Sequence, residues 1–177
     1  MKDKSSSIIA ISGKSGCGNT TVSRLVAEHL GRRFINYTFR KMAEEEGKSL
    51  ADILALAEND PSWDRRLDAR QVELAHLQDC VIGSRLALWL LPEADLRVYL
   101  KARPEIRVDR IFAREGGSRK EIAAFTAQRD VRDHRRYMET YGINSDDLSS
   151  AHLVIDTERW DASQIARIIA DAFIGRR

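Results

Sequence analysis

The stretch ISGKSGCGNTT, Ile11 to Thr21, decides how this chain reads. It follows a short β-branched run, SIIAIS (Ser7 to Ser12), and leads into TTVSRLVAEHL, where Val22, Leu25, Val26 and Leu30 recur at helical spacing. Strand, glycine loop and helix in that order make the phosphate-binding pattern G-x-x-x-x-G-K-[ST], with one departure. Gly13 and Gly18 fit the glycines and Thr20 fits the hydroxyl, but Asn19 stands where the lysine belongs. Such a loop holds phosphate through inward-facing backbone N–H groups and the positive end of the next helix, and neither needs a lysine. Gly13, Lys14, Ser15, Gly16, Cys17, Gly18, Asn19, Thr20 and Thr21 are therefore expected to cradle a nucleoside triphosphate, with the Thr20 hydroxyl on Mg²⁺. The charge lost at Asn19 calls for a substitute cation if catalysis is retained, and Lys14 is the nearest candidate.

Around that loop the composition is that of one globular domain. The chain has 177 residues, 43% hydrophobic and 32% charged, which suits a single core rather than a disordered or fibrous chain. A net charge of +2 is too small for a general nucleic-acid binder. Cys17 and Cys80 have neither metal-ligand spacing nor a disulfide framework, which suits a reducing compartment. The opening MKDKSSS precedes an apolar run too short for a signal peptide or a membrane span, so a cytoplasmic location is expected.

Further strands are expected at FINY (residues 34–37), CVIGS (80–84), LRVYLKA (96–102) and LVIDT (153–157). Helical stretches separate them, which predicts a parallel sheet. Three helices, Thr38 to Glu46, Ser49 to Asn59 and Pro61 to Leu77, stand between the second and third strands, with Ser49 as an N-cap. A closing helix over residues 162–174 puts Ile165, Ile168, Ile169 and Phe173 on one face. EGGSR (Glu115 to Arg119) breaks two long charged helices and reads as the tip of a mobile flap.

Those two helices carry arginine rows. Arg103, Arg107, Arg110 and Arg114 recur at spacings of four, three and four, and Arg129, Arg132 and Arg136 do the same on the next helix, with Asp133 beside them. Folded antiparallel, both rows are expected to face one cleft and neutralise charge during phosphoryl transfer. Arg40, after the second strand, and Arg85, at the end of the third, suggest a clamp for a second phosphate group. Asp64 and Asp68 lie four apart on one helix face, where they can accept hydrogen bonds from a base or sugar or pair with neighbouring arginines.

Taken together, ISGKSGCGNTTVSRLVAEHLG, FRKMAEEEGKSLADILALAENDPSWDRRLDARQ, SRLALWLL, ADLRVYLKA, RVDRIFAREG and YGINSDDLSSAHLVIDTERW resemble, in order and spacing, segments of the nucleoside monophosphate kinases, and within them the archaeal-type cytidylate kinases. The resemblance implies a P-loop NTPase fold: a three-layer α/β/α domain with a five-stranded parallel sheet, a helical insertion for the monophosphate over residues 38–78 and a helical lid over 103–141. It implies transfer of the γ-phosphoryl group of ATP to CMP or dCMP, on a monomer or weak homodimer with no nucleic-acid or membrane partner. The family commonly carries threonine at the position of Asn19. QRDVRDHRR is similar to the lid-return segment of bacterial cytidylate kinases, which implies that Arg129 and Asp133 hold the ribose and Arg136 the acceptor phosphate. Arg40 and Arg85 match further phosphate-binding arginines, the lid arginines Arg110, Arg114, Arg129 and Arg136 are expected to stabilise the equatorial oxygens in transfer, and Arg159 is expected near adenine. Gly83 and Ser84 depart from the family's acidic residue and glycine, and Lys14 from its proline, leaving Asp64, Asp68 and Ser84 as candidates for base choice. The alternatives are another acceptor such as UMP, a partner-controlled ATPase, and a nucleotide-binding protein without catalysis.

Overall fold

A computed structural model describes residues 6–176; the start of the MKDKSSS segment lies outside them. β1 (Ile8–Gly13), β2 (Arg33–Ile35), β3 (Cys80–Gly83), β4 (Leu96–Lys101) and β5 (Leu153–Asp156) form one sheet in the order β2-β3-β1-β4-β5, every pair parallel. The helices are α1 (Asn19–Leu30), α2 (Phe39–Glu46), α3 (Leu50–Asn59), α4 (Ser62–His76), α5 (Ala87–Leu90), α6 (Pro104–Glu115), α7 (Arg119–Tyr141) and α8 (Ala162–Ile174). Because all strands run the same way, the loop after each one emerges at the same edge of the sheet. The chain also leaves β1 in one direction and returns past it to β4, which puts the crevice for a ligand at that edge.

The alternation of side chains along the strands divides the core. Ile9 and Ile11 of β1 with Leu96, Val98 and Leu100 of β4 meet Val22 and Val26 of α1 and Ile165, Ile169 and Phe173 of α8. Ile8 and Ala10, with Cys80 and Ile82, face the other way onto Ala75, Ala87 and Leu91. A separate cluster of Tyr37, Met42, Ala43 and Ile53, with Trp63 and Leu67 against it, welds α2, α3 and α4 together. No helix among the described residues is long and apolar enough to cross a membrane.

Local signals placed most boundaries. Ser49 caps α3 with a reciprocal Asp52 partner, as its sequence predicts, and Asp161 does the same for α8 with Gln164. Three details differ from expectation. β2 runs over Arg33–Ile35 instead of residues 34–37, because it is an edge strand whose only partner, β3, ends one residue past its match with Ile35. Ile168 is partly exposed, since the buried stripe of α8 follows Ile165, Ile169 and Phe173 and is filled out by alanines. A short helix, α5, follows Arg85 where no separate element was expected.

Candidate active site

The phosphate loop turns from β1 into α1 with its outer side buttressed by α6. Gly16 has φ 84°, and a Cβ there would lie 2.7 Å from Arg107 O and 2.9 Å from its Cα, so glycine is required by both conformation and space. Arg107 itself is buried; it donates to Ser15 O at 3.2 Å and to both carboxylate oxygens of Asp130 on α7, at 2.5 and 3.3 Å. Arg110, one turn on, donates to Gly16 O at 3.4 Å and to Thr157 Oγ1 and O at 2.8 and 2.6 Å. These guanidinium groups fix the loop from behind and link it to α7 and to the end of β5. Gly18 caps α1 without a side-chain hydrogen bond, which leaves its first-turn amides unclaimed by any capping side chain. Cys17 is buried in the core beneath, where desolvation pushes its thiol up.

Asn19 points its carboxamide back along α1, where Ser23 Oγ donates to Asn19 Oδ1 at 3.4 Å. Ser23 also accounts for the second departure from the family pattern. A Cβ on Gly83 would fall 2.7 Å from Ser23 Oγ and 2.9 Å from Ser23 Cβ, so no acidic side chain fits there beside it. Thr20 and Thr21 are exposed on the first turn of α1.

Lys14 is held by a residue that the sequence did not single out. Its Nζ lies 3.2 Å from Asp146 Oδ1, while the other carboxylate oxygen lies 3.5 Å from His134 Nδ1 on α7. His134 Nδ1 is also 3.0 Å from Ser145 Oγ, and Trp89 Nε1 donates to Asp147 O at 3.2 Å. The segment after α7 is thus tied down onto the phosphate loop. A cavity of about 240 Å³, lined by Cys17, Tyr99, Lys101 and Leu148 among others, lies under this contact.

Across the cleft, Asp133 gathers three guanidinium groups: Arg85 at 2.6 Å, Arg136 at 3.3 Å and Arg129 at 3.8 Å. Arg136 also pairs with Asp64 of α4. Asp68, one turn further along α4, accepts from Tyr141 Oη at 2.7 Å. Burial pushes Asp68 up to about 6, against the downward pull of the Tyr141 hydrogen bond and of Arg136. Ser84 Oγ accepts from Leu86 N at 3.2 Å, and Arg40 is exposed on the first turn of α2.

The structure therefore sets Lys14, Arg85 and Asp133 along one cleft, ties Arg129, Arg136 and Asp64 to it through ion pairs at Asp133 and Arg136, and places Asp68 against Tyr141 one turn along α4. It does not bring both arginine rows there whole. On α6, Arg107 and Arg110 turn to the back of the loop, Arg103 pairs with Glu158, and Arg114 pairs with its neighbour Glu115 at the exposed far end. On α7, the exposed Arg132 lies over the Phe125 ring, 5.9 Å from its centroid. Helical spacing fixes a common stripe, but each guanidinium follows its nearest anion, ring or carbonyl. Arg159 is exposed just beyond Thr157. Asp130, one of the acidic residues near the arginine rows that can neutralise them, pairs with Arg107, whereas His134, Tyr141 and Asp146 were missed. Only tertiary contacts single them out, since one aspartate among many near arginines carries no local signal.

The model of the Cytidylate kinase-like family matches residues 8–159. Cytidylate kinase 2 of Borreliella afzelii (strain PKo) is 42% identical over 167 residues, spanning 92% of this chain and 94% of that protein. The chain belongs to the cytidylate kinase-like family. An archaeal relative, the cytidylate kinase of Pyrococcus horikoshii, is 38% identical over 167 residues, covering 93% of this chain and 87% of its own length. Among solved structures, shikimate kinase from Acinetobacter baumannii superposes with a TM-score of 0.62 over 97% of this chain and 95% of that one, at 19% identity. The fold is that of the P-loop kinases, and the family model runs from the start of β1 to just past β5.

Proposed function

We propose that the chain transfers the γ-phosphoryl group of ATP to CMP, or dCMP, giving ADP and the corresponding diphosphate. One juxtaposition supports this reading. The cleft has Gly13, Lys14 and Ser15 of the phosphate loop on one side and Arg85, Asp133 and Tyr137 on the other, so a donor tail and an acceptor phosphate would meet head to head. Phosphoryl transfer asks the protein for alignment and charge neutralisation rather than a covalent intermediate, and the residues present meet that demand. Loop amides and the N-terminus of α1 bind the donor. Arg85 and Arg136 take the acceptor phosphate, whose oxygens replace the carboxylates of Asp133 and Asp64 that now satisfy them. Lys14 stands in for the charge missing at Asn19, and Arg110, Arg114 and Arg129 complete the cationic surround. Arg132 and Asp133 belong to the acceptor side and Arg159 to the adenine.

Thr20 presents its hydroxyl on the exposed first turn of α1, and one such oxygen, together with phosphate oxygens and water, is a donor set that suits Mg²⁺. Bound there, the ion would offset negative charge on the phosphate oxygens. The test is a coupled ADP-release assay with CMP, dCMP, UMP and AMP offered separately. CMP or dCMP is expected to give the highest kcat/KM. Bound ATP and CMP without ADP above background would turn the protein into a sensor, and a preference for AMP would change its acceptor.

A further inference from the structure

One face of α4 carries Asp64, Asp68 and Gln71 at spacings of four and three, a single stripe. The first two reach α7, at Arg136 and Tyr141. Gln71 lies deepest and is only 6% exposed. Its Nε2 donates to Tyr37 O at 2.8 Å, while its Oε1 is buried with no hydrogen-bond partner among the described residues. That contact fixes which way the amide points, because only the NH₂ end can face a carbonyl. Oε1 is left as an unfilled acceptor. Had Gln71 served only to anchor Tyr37, half of its amide would be desolvated for nothing, a cost that buried polar groups rarely carry.

Its position in the fold points to the acceptor. Ile35 of β2 pairs with Ile82 of β3, and Tyr37 and Ser84 follow just past the carboxyl ends of those two neighbouring strands. Arg85, on the acceptor wall, comes next in the chain. One turn up the stripe, Asp68 senses the charges of Arg85 and Arg136. We infer that Gln71, with Asp68 above it, reads the base of the acceptor nucleotide through acceptor atoms and so selects a pyrimidine edge bearing an exocyclic amine. The inference rests on the phosphoryl-transfer reading above. Cytosine offers an N–H donor at its 4-position, whereas uracil offers a carbonyl oxygen that would oppose Oε1 and a carboxylate, leaving buried acceptors unmatched.

The experiment measures kcat/KM for CMP and UMP, together with KM for ATP, on the wild type, Gln71→Met and Asp68→Asn. The wild type is expected to prefer CMP, and each variant to lower the CMP-to-UMP ratio by about tenfold or more with KM for ATP unchanged. Asp68→Asn places an NH₂ group against the uracil oxygen, so its UMP rate is expected to rise in absolute terms, a gain that loss of fold cannot imitate. Should Gln71→Met fail to fold through loss of the Tyr37 anchor, Asp68→Asn decides alone. Equal losses for CMP and UMP, with the ratio held, overturn base reading while leaving phosphoryl transfer intact. A wild type that phosphorylates neither nucleotide removes the phosphoryl-transfer reading, and this inference with it.

Discussion

Lys14 and Asn19, the two loop side chains that bear on the missing charge, each have a partner within the protein. Asn19 spends its carboxamide on Ser23, inside its own helix, while Lys14 leans on Asp146. With side-chain exposures of 41% and 63%, the Lys14–Asp146 pair is of a kind worth about 0–1 kcal/mol, and a triphosphate outbids one carboxylate easily. Lys14→Ala is expected to lower kcat more than about tenfold. Asp146→Asn, which frees Lys14, should lower KM for ATP a few-fold in dilute buffer, by about a Debye-screened surface interaction, and the gain should fade as salt is added. An unchanged kcat in Lys14→Ala moves the compensating charge to the flap. At Gly83 the limit is steric: Gly83→Ala pushes a methyl group into Ser23 and is expected to cost about 1–3 kcal/mol in urea unfolding, with Ser23→Ala restoring part of it. Asp68 makes a pH prediction. Its folded value of about 6 lies above the ordinary 3.8, so the folded state holds a proton that the unfolded chain has released between those values. Its contribution to stability is therefore full below about pH 4 and is lost as pH rises through about 6. Asp68→Asn should flatten that decline and gain on the order of 2–3 kcal/mol at neutral pH, read from melts at several pH values.

At the scale of elements, α6 and α7 do more than carry arginines. The buried Arg107–Asp130 pair binds both helices to Ser15 of the phosphate loop, so flap and loop are one structural unit at their base. Removing one partner leaves the other charge buried without compensation, and Arg107→Ala is expected to cost about 3–5 kcal/mol. Replacing both members, Arg107→Met with Asp130→Leu, should recover much of that loss, a result that equilibrium denaturation can read directly. If Arg107→Ala unfolds no earlier than the wild type, the pair is not holding α6. Toward the tip, Arg114 and Glu115 are exposed and paired with each other, while Arg119 of α7 crosses to Asp109 and the Phe112 ring of α6. Arg107 and Arg110 thus support the base of the hairpin, and Arg114 lies at its exposed end.

For the whole molecule, the contacts around the cleft link α4, α7 and the phosphate loop. Without acceptor, α4 and α7 are joined by Arg136–Asp64 and Asp68–Tyr141, so carboxylates occupy the guanidinium groups that a phosphate would claim. On the function proposed above, acceptor binding would exchange those pairs and donor binding would exchange Lys14–Asp146. Either nucleotide alone at 100 times its Kd should stabilise the protein by about 2.7 kcal/mol. Both together should raise Tm by more than the sum of the separate shifts, since each closes helices that the other also orders. Additive shifts in calorimetry would mean that the two subsites close independently.

Strand, glycine loop and helix were legible at Ile11 to Thr21 because period and turn chemistry are local, and so were the Ser49 cap and the parallel strands. Short-range spacing also placed Asp64, Asp68, Arg129 and Arg136 on the helices where they are found. What spacing could not supply was partnership. Arg107 and Arg114 lie on one stripe of α6, yet one is buried against Asp130 and the other exposed beside Glu115. Asp146 and Gln71 gain their meaning from Lys14 and Tyr37, distant in sequence from both. The sequence by itself determined the sheet, its order of elements and the phosphate loop, since these follow from backbone preferences and periodic burial. Only the tertiary structure decided which charges meet, because a side chain's partner depends on contacts between helices that no local pattern encodes.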